Sequence, residues 1–556
     1  MQNLKNTSTR CVARFFPFKD RSMDESQVST GGGDGSGFVQ SDGTGNPSVQ
    51  NNHWFPNKDK MLNDFKGKST NNAWWPDQTK ILANTKGAQS KPPLTEPQNS
   101  HGSNQTFGKM ASDEFIEDDA IIRFSMAKDM SLAAPTFQIV IKPTKNFYNL
   151  IKPGDWVMVY LGDTSHIDVK GTKGVVCIGQ VDRIALNRVK MKDGTLSNSF
   201  MVHGSGFGKL MAQTMVFFSP YVLDQVKKYV VQSSKYQKGG SPLDFIQYYL
   251  DVFTGDAMKA ELEDNLFQML VPPKLYKALS GKTREKGSDV CFRDLLNTEY
   301  DPDTNEGFLH FRDITTSNTG SLWNLLLQSA NLPVNELYTD TRDGKPYLIL
   351  QKQPLTKSLL AKRLDETRNV KKYELGLEYI VNSNVGIAEA ELKNYIYILP
   401  SSELTQALSS VYKEFYPSEY PNLNRESIRR FGLRVANFST EYAYDNAATL
   451  KTDVMLKWKQ ELGEFWVNRW RMESGTIELI GKHDFEIGKF YHIPEIKMAY
   501  RPRGVQYDWQ FGEDIVTTLT VTHGVKSSGE FVDSNKSDKL SYGISHVRNP
   551  NTKGFA

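Results

Sequence analysis

Between Phe137 and His203 the chain alternates short apolar runs with turn residues about every ten positions, a rhythm that few folds accommodate. Phe137-Gln138-Ile139-Val140-Ile141 alternates as a half-buried strand does. Pro153-Gly154-Asp155 forms a turn that launches Trp156-Val157-Met158-Val159-Tyr160-Leu161, apolar on both faces and therefore expected to be covered on both. Val175 to Val181 and Ser199 to His203 supply further strands. Short strands at this spacing point to a small antiparallel barrel.

Helical signals follow. Ser219-Pro220 sets an N-cap and an N1 proline ahead of Tyr221 to Val231, and Ser241-Pro242 repeats the device ahead of Leu243 to Phe253, with Gly255 placed to stop that helix. Leu322 to Leu327 reads as another helix. Strands return at Tyr347 to Leu350, after an Asp343-Gly344 turn, and at Tyr395 to Leu399. A helical insertion from about Ser402 to Trp470 ends in a helix carrying Trp458, Leu462, Trp466 and Trp470 at four-residue intervals, a stripe suited to a core or a subunit interface. Beyond it the strands echo the first set. Ile487 to Ile493 resembles the turn and strand of Ile151 to Val159, and Thr517 to Val521 runs into His523-Gly524 as Phe200 to Val202 runs into His203-Gly204. Two related barrels in one chain, the second split by a helical insertion, are the expectation.

The first fifth of the sequence is different. From Arg21 to Ala111 it is rich in Gly, Ser, Asn, Gln, Lys and Pro, and tracts such as Gly31 to Gly37 cannot bury enough apolar surface to offset chain entropy. Within it Asn51-Asn52-His53-Trp54-Phe55-Pro56 recurs as Asn71-Asn72-Ala73-Trp74-Trp75-Pro76. An aromatic pair in a polar tail suits a docking motif, because Trp offers much contact area at low rotamer cost. Trp54, Phe55, Trp74 and Trp75 are thus candidate docking residues for two equivalent sites on neighbouring subunits. A partly collapsed linker is the alternative. Sugar-binding modules also use aromatic repeats, but their hairpin and glycine pattern is absent.

Composition sets outer bounds. With 556 residues the chain exceeds a single core, and two to four domains are expected. A net charge of +3 argues against wholesale coating of nucleic acid. No apolar stretch approaches the roughly 20 residues of a membrane span, and Met1 to Arg21 lacks the apolar core of a secretory signal. Assembly in the cytoplasm and no integral membrane contact follow as expectations. Cys11, Cys177 and Cys291 are far apart with no CxxC pair, as expected of small buried residues.

Catalytic patterns do not emerge. His203-Gly204-Ser205-Gly206-Phe207-Gly208-Lys209 resembles a phosphate loop, yet Leu210 stands where Ser or Thr should hold magnesium, and the register is wrong for a nucleophile elbow. A glycine-rich strand exit is the better reading. Asp301 to Gly307 lacks the glycine and acid of a calcium loop, with Glu306 and Arg312 at those positions, and reads as an exposed turn. The acidic run Asp113 to Asp119 reads as a solvated charge run, and the nine histidines are scattered. No catalytic, cofactor or metal residue is assigned, and a non-enzymatic role is expected.

Several segments together resemble the central hub proteins of contractile phage baseplates, whose fold is shared by the N-terminal half of type VI secretion spike proteins. They are Ile151 to Val157, Ile178 to Ile184, Phe200 to Lys209, the helix around Trp323 leading through Leu337 to Pro354, and Arg503 to Trp509 followed by Thr517 to Thr522. The similarity spans about Glu117 to Val525. The resemblance implies a homotrimer in which each subunit contributes two tail-tube-like barrels, so that six match a hexameric tail tube. The tube or a tube-initiator protein would dock above and a central spike protein below. Baseplate wedge proteins would surround the ring, and the channel would pass the tape-measure protein and then, transiently, DNA. The location implied is the tail baseplate of a virion. Trp458, Trp466 and Trp470 are then candidate subunit-interface residues. The rival readings are a tail-tip peptidoglycan hydrolase, for which no further folded domain follows Val525, and a receptor- or carbohydrate-binding tail protein using the Trp motifs.

The expected fold is α+β, mainly β: two tail-tube-like antiparallel β-barrels with helical insertions and a disordered N-terminal extension. Residues 1–112 form the extension, 113–215 the first barrel and 216–340 a helical insertion. The second barrel comprises 341–400 and 473–525, divided by the helical insertion 401–472, and 526–556 form a polar tail.

Overall fold

The computed structural model describes residues 9–17, 40–41, 47–48, 115–163, 165–190, 196–216, 240–254, 270–282, 290–307, 320–332, 334–400, 422–440, 442, 453–533 and 541–542. The chain divides into two compact units, one of Met1–Phe18 with Ala111–Ala556 and the other of Lys19–Met110. In the second, Gln40–Ser41 pairs antiparallel with Pro47–Ser48. Trp54, Phe55, Trp74 and Trp75 lie outside the described residues, as does the helix expected at Tyr221 to Val231.

The first unit is built on a 12-stranded sheet. Seven of its strands are β1 (Arg10–Phe16), β2 (Phe115–Glu117), β3 (Ile121–Asp129), β4 (Thr136–Ile141), β5 (Trp156–Gly162), β6 (Val175–Lys190) and β7 (Leu196–Gly206). A second sheet joins β8 (Asn297–Tyr300), β9 (Asn335–Arg342) and β10 (Lys345–Lys352). The large sheet resumes at β11 (Ile380–Gly386). A third sheet holds β12 (Tyr395–Pro400), β13 (Asn422–Leu423), β14 (Val435–Thr440) and, at the far end of the chain, Ser541–Tyr542. The large sheet ends with β15 (Glu473–Ile480), β16 (Tyr491–Ile493), β17 (Met498–Gln510) and β18 (Val516–Lys526). Its path is β11-β15-β18-β17-β3-β4-β7-β6-β5-β1-β2, with β16 attached to β17.

That path contains one motif twice. In chain order the five strands β3, β4, β5, β6 and β7 stand in space as first, second, fifth, fourth, third, and β11, β15, β16, β17 and β18 stand in the same order. All the pairings are antiparallel. The irregularities repeat as well. A bulge between Ile121 and Arg123 matches one between Ile380 and Asn382, and a bulge between Val181 and Arg183 matches one between Pro502 and Gly504. Each third strand is entered through a glycine at positive φ, Gly154 (95°) or Gly488 (81°). The N–H of Gly154 donates to Val181 O and that of Gly488 to Pro502 O, at 2.8 and 3.0 Å. Only glycine takes that backbone turn without strain.

These matches fix the correspondence of the two halves and correct part of the sequence reading. Val181 corresponds to Pro502, so their partners Gly204 and Val521 correspond. The two His-Gly pairs therefore lie out of register. The turn-and-strand echo holds: Val157 pairs with Gly179 as Tyr491 pairs with Tyr500. Of residues 341–400, only β11 enters the large sheet, because β10 pairs with β8 and β9, and β12 with β13 and β14. The interruption within the second half thus begins at Gly386, and the expected boundary at 340/341 falls inside β9.

The structure is mainly β with antiparallel sheets, and among the described residues the large sheet follows an open path. Two apolar cores flank it. Trp156, Met158 and Tyr160 of β5 enter one, and Val157, Val159 and Leu161 the other, so the run apolar on both faces is buried on both. Strand β1 does the same, with Val12 and Phe16 on one side and Cys11, Ala13 and Phe15 on the other. Residues 1–112 are therefore not simply an extension. The apolar cluster Cys11 to Phe16, broken only by Arg14, is a buried strand between β5 and β2. Helices α1 (Pro242–Thr254), α2 (Pro273–Ser280) and α3 (Leu322–Ser329) pack on the first core. Ser241 caps α1 through its contact with Asp244, and Ser321 Oγ accepts the Asn324 N–H at the start of α3.

Candidate functional site

The two five-stranded units meet where β17 pairs antiparallel with β3, from Gly504 opposite Asp129 to Gln510 opposite Arg123. Tyr507 and Met126 face each other there and are both buried in the second core. Beside this joint lies a buried charge network that ties both units to β9. Lys128 of β3 donates to Asp340 Oδ1 and to Phe485 O, each at 2.7 Å. Asp340 Oδ2 accepts the Ile487 N–H at 3.1 Å. Arg501 of β17 grips both oxygens of Glu336, at 3.0 and 2.5 Å, and donates to Gly488 O. Arg342 reaches Glu299, Tyr338 Oη and Ile487 O. Burial pulls the Lys128 ammonium down, but the Asp340 carboxylate and neighbouring groups outweigh it and leave its pKa raised. Arg501 follows the same logic, desolvation being outweighed by Glu336.

Two of the sheet's edges among the described residues lie on β11 and β6. Among the described residues β11 pairs on one side only, with β15, and Asn382, Ser383 and Asn384 are exposed. On β6, pairing with β5 stops at Gln180, so among the described residues Arg183 to Lys190 pair with β7 alone. Here the Leu186 N–H donates outward to the half-exposed Tyr148 Oη at 2.8 Å. These edges stand at equivalent places, since β6 corresponds to β17 and β11 to β3. Open edges carry rows of backbone donors and acceptors able to extend a sheet.

No family model matches the sequence, and no curated protein matches it. A tail protein from Neisseria meningitidis MC58 aligns over 76% of this chain and 96% of its own, at 11% identity and a TM-score of 0.42. The 43 kDa tail protein of prophage MuSo2 from Shewanella oneidensis aligns over 75% and 97%, at 10% identity and a TM-score of 0.41. A chain of the phage P2 baseplate, in its activated conformation with Ca, aligns over 73% and 89%, at 8% identity and a TM-score of 0.24. These three neighbours are described as tail or baseplate proteins.

The tryptophan stripe divides into two kinds of position. Trp458, on α4 (Asp453–Asn468), is buried within the chain, and its Nε1–H donates to Glu306 Oε2 at 3.3 Å. Trp466 is half-buried and stacks on Phe438 with ring centres 6.1 Å apart. Trp470 stands just past the helix, half-buried against Phe431 and beneath the Arg430 guanidinium. The Nε1 atoms of Trp466 and Trp470 are buried without hydrogen-bond partners.

The segments weighed for chemistry are engaged in packing and ion pairs. Ser205 Oγ donates to Asp182 at 2.5 Å, Lys209 pairs with the same carboxylate, and Phe207 is buried, as befits a glycine-rich strand exit. Asp301 to Gly307 is not simply an exposed turn. Asp301 pairs with Arg363, Asp303 with Lys362, and Glu306 with Lys352 and Lys457, while Thr304 is buried. The acidic run is likewise partly structured, because Glu117 pairs with Lys145 at 2.5 Å and Asp118 with Arg10. Cys11, Cys177 and Cys291 are buried thiols, and burial pushes that of Cys177 up to about 12. Among the described residues no group of three or more His, Cys, Asp or Glu is arranged to hold a metal ion. Sequence reasoning missed the buried network and the two edges. The edges were detectable only as strand patterns at Arg183 to Lys190 and Ile380 to Gly386, the latter too polar to stand out.

Proposed function

We propose that this chain is a structural subunit of a contractile phage tail, the central hub of its baseplate. The observation that carries the reading is the doubled five-stranded unit, with order, bulges and glycine turn repeated. A chain holding two equivalent units forms, as a trimer, a ring of six. That number suits a hexameric tail tube above, while the threefold of the chain suits a trimeric spike below. In this reading the units are the two tube-like barrels, closed by assembly, and the ring encloses the channel for tape measure and DNA. Wedge proteins would contact the helical insertions from outside, and the Trp54-Phe55 and Trp74-Trp75 motifs would dock on neighbouring subunits. The protein would be assembled in the host cytoplasm and retained in the virion. Its role is structural, in keeping with carboxylates that are committed to ion pairs around Asp301 to Glu306.

Trp466 and Trp470, half-buried on the insertion, are the assembly contacts we assign there. Light scattering of the full chain is expected to give three times 63.0 kDa. The double variant Trp466→Ala with Trp470→Ala is expected to keep its fold, by circular dichroism, and to shift toward monomer. A wild-type chain that stays monomeric at its highest soluble concentration would count against the ring. An unchanged trimer in the variant would remove these residues from its contacts.

A further inference from the structure

We propose that successive copies of this chain join by antiparallel pairing of β6 of one with β11 of the next, in the register of the chain's own β17–β3 joint. The proposal rests on the ring reading above and specifies how such a ring closes. Its basis is that the molecule already contains one such joint. The correspondence places Arg183 at Gly504 and Leu186 at Tyr507, because the bulges at Val181/Arg183 and Pro502/Gly504 coincide. It places Ile380 at Ile121 and Val385 at Met126, because the bulges after Ile121 and Ile380 coincide. In the existing joint Val505 faces Lys128, Gln506 faces Ala127, Tyr507 faces Met126 and Asp508 faces Ser125. Transferred to the free edges, Ile184 faces Ile387, Ala185 faces Gly386, Leu186 faces Val385 and Asn187 faces Asn384.

The side chains agree with this register. Leu186 and Val385 are both half-buried against the second core, as Tyr507 and Met126 are buried in it. Ile387, 48% exposed, would be covered by Ile184. A slip of one residue would turn Leu186 and Val385 to opposite faces. Toward Arg188 and Ser383 the match becomes polar, where the internal joint has Trp509 and Phe124. The Leu186 N–H already points outward, to Tyr148 Oη, so Leu186–Val385 is a hydrogen-bonded pair and Tyr148 holds the place of the incoming carbonyl. Its neighbours Ala185–Gly386 and Asn187–Asn384 are then non-hydrogen-bonded pairs, with Cα atoms about 4.5 Å apart, close enough for a disulfide.

Paired cysteines test the register. The three native thiols are buried, and a Cβ at Gly386 meets nothing within 4 Å. The full chain carrying Asn187→Cys and Asn384→Cys, oxidised in air with copper–phenanthroline, is expected to give covalent trimers on a denaturing gel. Ala185→Cys with Gly386→Cys should do the same. Ala185→Cys with Asn384→Cys, two residues out of step, should link several-fold less. Mixing the two single variants Asn187→Cys and Asn384→Cys should give covalent dimers and nothing larger. Tyr148→Phe, which frees the Leu186 edge, should raise the cross-linked fraction at a given concentration, and a fall would count against the pairing. A trimer by light scattering with no cross-link at either in-register pair would overturn this joint and leave the ring standing. A monomer without cross-links would overturn both.

Discussion

Asp340 shows what a single buried side chain contributes to this architecture. Its carboxylate has no exposed surface and holds the Lys128 ammonium, which is 4% exposed, at 2.7 Å. Truncating it leaves a lysine buried beside the joint with its main partner gone, and removing one partner of such a pair costs about 3–5 kcal/mol. Asp340→Ala is therefore expected to lower unfolding free energy by that amount in a urea titration. Lys128→Met with Asp340→Leu should recover much of it, since a buried pair often stabilises no more than apolar groups of similar volume. A loss below about 1 kcal/mol for the single variant would mean that the network is dispensable. The pH dependence has a definite sign. Because the folded-state pKa of Lys128 is raised above 10.5, its contribution is fully present below that value and is lost as pH rises beyond it. None of this was legible in the sequence. Thr339-Asp340-Thr341-Arg342 reads as the polar end of a hairpin strand, and the partner of Asp340 lies 212 positions away.

At the scale of elements, short-range chemistry was read well and long-range pairing poorly. Ser241-Pro242 does start α1, and Asp343-Gly344 does make the β9–β10 turn, with φ of 48° and 68°. Periodicity places such features because their causes lie within a few residues. Strand β1 escaped because seven residues ahead of a long polar tract carry little pattern, and their partners β2 and β5 lie far along the chain. The pairing of Ala13 with Glu117 and Phe15 with Phe115 makes β1 and β2 the arms of one hairpin, with Lys19–Met110 between them. Joining Phe18 to Ala111 through a short Gly-Ser linker is therefore expected to leave the melting temperature within a few degrees of the parent, because loop-closure entropy changes only slowly with loop length. Deleting residues 1–110 instead removes β1, strips cover from Val157, Val159 and Tyr160, and should lower the melting temperature by ten degrees or more, roughly what losing several buried apolar side chains implies. Equal melting temperatures for the two deletions would show that β1 does not support the sheet.

For the whole molecule, the governing fact is that one joint is made within the chain while, among the described residues, its equivalents are left open. The sequence hinted at the repeat through the Gly154 and Gly488 turns, but the insertion between Gly386 and Glu473 separates first and second strands of the second unit and hides their kinship. A repeat whose internal joint is closed, while β11 and the second half of β6 lack that partner among the described residues, should show this in its backbone exchange. Amides of Arg123 to Asp129 and Gly504 to Gln510 are paired within the chain and are expected to exchange slowly at every protein concentration. The outward-facing amides of Asn382 to Gly386 and of Arg183 to Val189, apart from that of Leu186 held by Tyr148 Oη, are expected to exchange quickly in dilute protein. As concentration rises and the molar mass climbs, both segments should gain protection together, because each strand is the other's partner. Hydrogen–deuterium exchange read by mass spectrometry across a dilution series measures all four segments at once. Protection gained at β6 without β11, or mass growth with neither protected, would mean that copies meet through some other surface. Joint protection, approaching that of Gly504 to Gln510, would make the internal joint a template for assembly: a chain that folds one-sixth of a ring's contacts correctly has already specified the geometry of the next.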